Sequence, residues 1–179
     1  MITRSALLRL SIACLVVGLV ACKPSPRQRP VQMGPVDEGK GTVTAARKYL
    51  EGRWTLESFE VFPPKGTPIT LKGQGTLVYD DFGNLQIEIR AEEKSADLLR
   101  AAGVEIKDNM ISSNGRTIVD MQNRTIAYIL DGKPVVGPVA GPLALNRPRH
   151  WEVEANLLTL TTKDANGNVL SVGRWRRMP

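Results

Sequence analysis

The stretch LEGRWTLESFE, Leu50 to Glu60, stands where the texture of the chain changes. Before it, Thr42 can cap a short helix that runs through Ala45, Ala46 and Arg47 to Leu50 and stops at Gly52. After it come short strands. Trp54 to Val61 is the first, and Pro63-Pro64-Lys65-Gly66 ends it, because neither proline can donate to a ladder. Gly75 to Tyr79 and Leu85 to Arg90 flank Asp80-Asp81-Phe82-Gly83-Asn84 as a hairpin. In the second arm Leu85, Ile87 and Ile89 alternate with Gln86, Glu88 and Arg90, so one face is buried and the other wet. Glu92 to Ala102, rich in Ala, Leu, Glu and Lys and closed by Gly103, reads as one helix, a lid on the sheet.

The alternation then resumes. Val104 to Ser113 and Arg116 to Met121 read as two strands joined at Asn114-Gly115, a dipeptide suited to a tight turn because both residues accept positive φ. Thr125 to Leu130 continues the meander, and a proline-rich loop spans Pro134 to Pro148. His150 to Glu154, Leu157 to Thr162 and Val169 to Arg176 complete the set. Eight or nine short strands with turn chemistry between them, and one or two short helices, predict a mainly β domain, a closed antiparallel barrel or a sandwich.

Residues 1–21 stand apart. Arg4 and Arg9 precede an apolar run, Leu10 to Val20, too short for the roughly 20 residues a membrane-spanning helix needs. It reads as the apolar part of a secretory signal. Leu19-Val20-Ala21-Cys22 resembles the lipobox of bacterial lipoproteins. That resemblance implies cleavage before Cys22, lipid on its sulfur and on the new amino terminus, and a membrane as partner. Several acyl chains on one residue would anchor the protein stably, where a single chain binds reversibly. Lys23 after Cys22 points to the outer rather than the inner membrane, by resemblance to enterobacterial sorting.

Residues 22–48 read as a tether. Prolines 24, 26, 30 and 35 fall in a stretch with little to bury, which cannot offset its ordering entropy. The tether and signal also explain the net charge of +6. Residues 1–48 hold eight of the 24 basic and two of the 18 acidic residues, leaving sixteen of each in the barrel domain, 49–179. A neutral domain removes the main argument for nucleic acid as a partner. With Cys14 in the signal and Cys22 lipidated, neither of the two cysteines is left for a disulfide or a metal.

Catalytic layouts fail on inventory. His150 is the single histidine, so it has no second imidazole or thiol for a zinc site, and no serine lies in a nucleophile elbow. Asp164-Ala165-Asn166-Gly167-Asn168 begins like a calcium loop, but Val169 replaces the sixth-position glycine and Trp175 the twelfth-position glutamate; it reads as a hairpin turn. Asp80-Asp81 reads as turn chemistry, and Glu152 and Glu154 as partners for arginines on a neighbouring strand. Gly73-x-Gly75 lacks the rest of a dinucleotide fingerprint. The expectation is a non-enzymatic protein with no cofactor, no metal and no catalytic residue.

Gly52-Arg53-Trp54 after a helical turn, together with the ending Trp175-Arg176-Arg177, is similar to lipocalins and their calycin relatives. The segments GQGTLVYDDFGNLQIEI and LLTLTTKDANGNVLSVGRWRR also resemble bacterial lipocalin-like domains. The chain departs from many animal lipocalins in lacking a Thr-Asp-Tyr turn and a disulfide, and in the helix at 92–102. The resemblance implies an up-and-down barrel of eight or nine strands whose sealed end holds Gly52 and Trp54 beneath Arg176 or Arg177. Inside such a barrel, Trp54, Leu56, Tyr79, Ile87, Ile89, Tyr128, Trp151, Leu158 and Leu160 would line a cavity for a small apolar ligand or simply interlock. Two functions follow: a tethered binder of a small apolar molecule, or a scaffold whose loops 91–103 and 131–149 engage another envelope protein.

Overall fold

The computed structural model describes residues 43–131 and 134–179. The helix α1 (Val43–Leu50) leads into β1 (Gly52–Val61), β2 (Ile69–Thr70), β3 (Gly73–Tyr79) and β4 (Asn84–Ala91). After α2 (Glu93–Ala101) come β5 (Met110–Asp120), β6 (Thr125–Tyr128), β7 (Arg149–Glu154), β8 (Leu157–Lys163) and β9 (Val169–Arg177). The strands form one antiparallel sheet in the order β2-β1-β3-β4-β5-β6-β7-β8-β9, closed by pairing of β1 with β9. It is an up-and-down barrel of eight strands, with the two-residue β2 continuing the edge of β1 beyond β3.

Alternation decides what faces inward. Along β4 and β5 buried and exposed residues alternate without a break, with Leu85, Ile87 and Ile89 inside and Gln86, Glu88 and Arg90 outside. This is the period-2 pattern of a strand with one wet face. The core also takes in Leu77, Tyr79, Ile111, Tyr128, Trp151, Leu158, Leu160 and Trp175.

Antiparallel connectivity puts short turns and α1 at the end where β1 begins, and the long connections at the other. At that second end α2 buries Ser95, Ala96 and Leu99, while the 129–148 segment buries Leu143, Ala144 and Leu145. The connection after α2 meets that segment, with the Val139 amide donating to Glu105 Oε2 at 3.0 Å. One seam is thin: β6 pairs with β7 only at Thr125–His150 and Ile126–Arg149. Beyond it, Val136 of the long connection bridges to Asn114 of β5 through two backbone hydrogen bonds, 2.8 and 2.9 Å.

The strand count comes out at nine although the sequence expectation differs in detail. Asn114-Gly115 is no turn: it lies inside the continuous strand β5, with Asn114 opposite Gln86 and Gly115 opposite Leu85. Gly115 has a packing reason instead, since a Cβ there would come within 2.9 Å of Val135 and 3.3 Å of Tyr128. The turn into β5 is made at Asp108-Asn109, both at positive φ (49° and 58°), with reciprocal Lys107–Met110 hydrogen bonds. Two expected strands are thus one, and β2 supplies the ninth. The helix α1 buries Ala46 and Leu50, so the folded unit begins within the segment read as tether.

Two hairpins share one device. Asp80-x-x-Gly83-Asn84 and Asp164-x-x-Gly167-Asn168 place glycine at φ 82° and 86°. In each, one carboxylate oxygen accepts the amides two and four residues on, and the other accepts the asparagine side chain. Burial pushes the Asp80 carboxyl up, but the side chain of Asn84 and the amides of Asn84, Phe82 and Gly83 together hold it below the usual value. The Asp164 carboxyl is lowered chiefly by the Asn168 side chain. A carboxyl with a depressed folded-state pKa contributes stability above its unfolded pKa and loses it as pH falls through the folded value. Acid unfolding should therefore steepen below about pH 4, and Asp80→Asn combined with Asp164→Asn should flatten that limb in melts recorded from pH 7 to pH 2. Parallel acid limbs for the variant and the parent would contradict the role of these carboxylates.

Candidate functional site

Three places were open to function from the sequence: the sealed end, the interior and the loops. At the sealed end Trp54 is fully buried and donates from Nε1 to the Leu50 carbonyl at 3.0 Å, joining β1 to the last turn of α1. The register sets Arg177 opposite Trp54. Its guanidinium lies 4.2 Å from the indole centroid. Arg177 Nη1 donates to the Glu51 carbonyl at 2.6 Å and Nη2 to the Tyr49 carbonyl. One side chain thus stacks on the tryptophan and satisfies carbonyls at a helix end that would otherwise lack partners. Gly52 is at φ 129°, and a Cβ there would stand 3.2 Å from Arg177 Nη1. The structure brings Gly52, Trp54 and Arg177 together.

Arg176 points the other way. Strand parity puts it outside, where it meets Glu57 at 2.7 Å, while Arg174 meets Glu60 at 3.2 Å. Among the described residues no ion pair joins Glu152 or Glu154 to an arginine of a neighbouring strand.

In the interior, eight of the nine residues expected around a cavity are buried, and Leu56, at the β1 bulge, is half-buried. They fill the barrel. A cavity among them has a volume of about 30 Å³, and of the nine only Ile87 and Leu160 line it. Ser113, Arg149, Thr162, Ser171 and Trp175 line it as well. Sequence reading missed this polar group, although Arg149 sits two residues before Trp151 and so shares its face. Tyr128 links to the group by a 2.8 Å hydrogen bond to Ser113, and its hydroxyl reaches the Leu85 carbonyl at 3.2 Å. Burial raises the Tyr128 hydroxyl above the usual phenol value, against the pull of Arg149 and the Ser113 hydrogen bond.

The larger spaces are outside. An open groove of about 610 Å³ runs where β1 parts from β3, lined by Leu56, Gly73, Gly75, Glu88 and Arg90 and ending at Ala91 and Glu92. A second, of about 780 Å³, is bounded by Phe82, Asn84, Gln86, Asn114, Arg116, Pro134 and Val136. The outer face of β4 floors both, through Glu88 and Arg90 in one and Asn84 and Gln86 in the other. Each groove abuts one of the two loops singled out in the sequence. Phe82 and Val136 are 72 and 62 % exposed, and Ile118 and Val139 are large apolar side chains exposed to a similar or greater degree.

His150 is half-exposed on β7. Among the described residues no group of three or more His, Cys, Asp or Glu side chains is placed to hold a metal ion, and no helix is long and apolar enough to cross a membrane. Cys22 and the tether up to residue 42 lie outside the described residues. Comparison with known proteins returns no matching family model, no matching curated protein and no matching solved structure.

The closure gives a graded prediction. Trp54→Ala should cost about 3–5 kcal/mol, as for truncation of a buried aromatic. Arg177→Ala should cost about 1–3 kcal/mol through the lost stacking and carbonyl hydrogen bonds, and Arg176→Ala under about 1 kcal/mol as a surface ion pair. Denaturant unfolding ranks the three; equal effects of the two arginines would remove Arg177 from the closure.

Proposed function

We propose that this chain is a lipid-tethered, non-catalytic barrel of the bacterial cell envelope that acts as an interaction module, holding a partner protein on its outer wall. The observation that carries this reading is the contrast in volume between the filled interior, about 30 Å³, and the two grooves outside. Pockets that enclose a small organic ligand commonly measure about 300–1,000 Å³. The interior is an order of magnitude below that range. The larger groove combines exposed apolar anchors, Phe82 and Val136, with Gln86 and Arg116, a mixture suited to a protein surface, and the other adds the charged pair Glu88 and Arg90 beside Leu56.

Support for the tether comes from the sequence alone: the short apolar run, Leu19-Val20-Ala21-Cys22, and a polar proline-rich segment behind it. Lipid on Cys22 would fix the barrel near a membrane, outer more than inner by the residue that follows. The wall, and not the barrel's interior, is then presented to neighbours. The rival reading, a carrier of a small apolar molecule, finds support in the thin β6–β7 seam, through which the barrel would have to open.

Two measurements test the parts separately. Cys22→Ser should abolish acyl mass on the protein and move it from the membrane to the soluble fraction; retention in the membrane would refute the tether. A photo-crosslinking residue at Phe82 or Val136 should yield one discrete adduct in the native envelope, and the same residue at exposed Glu154 none. Absence of an adduct at both groove positions, together with displacement of a fluorescent fatty acid from the purified chain, would instead establish the carrier.

A further inference from the structure

The small internal cavity has a charge problem that packing does not solve. Arg149 is 6 % exposed, and its Nη2 donates to the Leu143 carbonyl at 3.2 Å, while Nη1 is buried without a hydrogen-bond partner. The guanidinium carbon lies 5.1 Å from the centroid of the Tyr128 ring. Desolvation lowers the Arg149 pKa, yet a guanidinium stays protonated in proteins. None of the cavity-lining residues is a carboxylate. Stacking on an aromatic ring offsets only part of the cost of taking an ion out of water.

A second donor is unpartnered in the same place. Trp175 is 1 % exposed, lines the cavity, and its Nε1 is buried with no acceptor. Ser113, Thr162 and Ser171 add hydroxyls to the wall. The two residues that carry these buried, unpartnered N–H donors, one of them cationic, line the same space as three hydroxyl residues, and its volume suits one or two molecules of solvent size. Water could accept these hydrogen bonds, but it would not neutralise the charge.

We propose that the barrel interior is a site for one small monovalent anion, a halide or the carboxylate of a very short acid, with Arg149 as its counter-charge and Trp175 Nε1 as a second donor. The cavity volume of about 30 Å³ excludes bulky anions. The site lies inside the wall and is independent of the outer grooves, so either proposal can fail without the other. An anion here would also secure the 129–148 segment, because Arg149 holds that segment through the Leu143 carbonyl and Leu143 itself lines the cavity.

The test uses the full chain in detergent, melted in sodium bromide or sodium formate, with ionic strength held constant by sodium gluconate, whose anion is far larger than the cavity. A saturable rise in melting temperature with bromide and with formate, absent when gluconate alone is present, is expected. Arg149→Met should abolish the dependence, and Trp175→Phe should raise the half-saturating concentration several-fold. Should Arg149→Met fail to fold, bromide-soaked crystals of the parent decide, with an anomalous peak expected beside Arg149 Nη1. A response to bromide alone assigns the site to a halide, and a stronger response to formate assigns it to a carboxylate. Identical melting in all three salts, an unchanged response in Arg149→Met, or no anomalous peak at the site would overturn the proposal.

Discussion

The barrel depends on one stacked pair. Arg177, third from the end of the chain, lies on Trp54 of the first strand and at the same time donates hydrogen bonds to the carbonyls of Tyr49 and Glu51 as α1 ends. A sheet that closes on itself has no exposed edge to pair with another chain. Closing it requires that the first and last strands meet in register, the contact with the greatest sequence separation in the fold. Seven residue pairs make that seam, and the Trp54–Arg177 pair stands at its sealed end. The helix, the first strand and the last strand share one side-chain arrangement, so removing any part of it leaves partners of the other two unsatisfied.

How much of this could be read from the chain depends on range. The alternation in Leu85 to Arg90 is local and unambiguous, and the strand follows it. Asn114-Gly115 misled because the dipeptide's turn preference is also local, whereas its place in β5 is set by Leu85 and Gln86 opposite and by Val135 packing against the glycine. Arg176 and Arg177 could not be told apart by composition. Parity tells them apart: Trp175 is inside, so Arg177 is inside and Arg176 outside.

The polar interior was the least legible part. Ser113, Arg149, Thr162 and Ser171 lie on different strands and come together only when the sheet curls. Arg149 follows Pro148 at the end of a loop, where a basic residue ordinarily reads as solvated. The outer grooves were hidden for a similar reason. They arise where β1 leaves β3 and where Pro134 and Val136 stand beside β5, and both are properties of strand divergence rather than of any motif.

The packed interior and the proposed role of the outer wall belong to one account, in which closure of the sheet leaves the outside of the barrel as the surface a partner would meet. Its most direct test is native-state hydrogen exchange across the β1–β9 seam. If closure is what the fold rests on, the seam amides exchange only through global unfolding, with the same free energy as the β4 and β5 amides. Exchange at the seam through a local opening well below the global value would contradict that claim, and would make the barrel a container with a door.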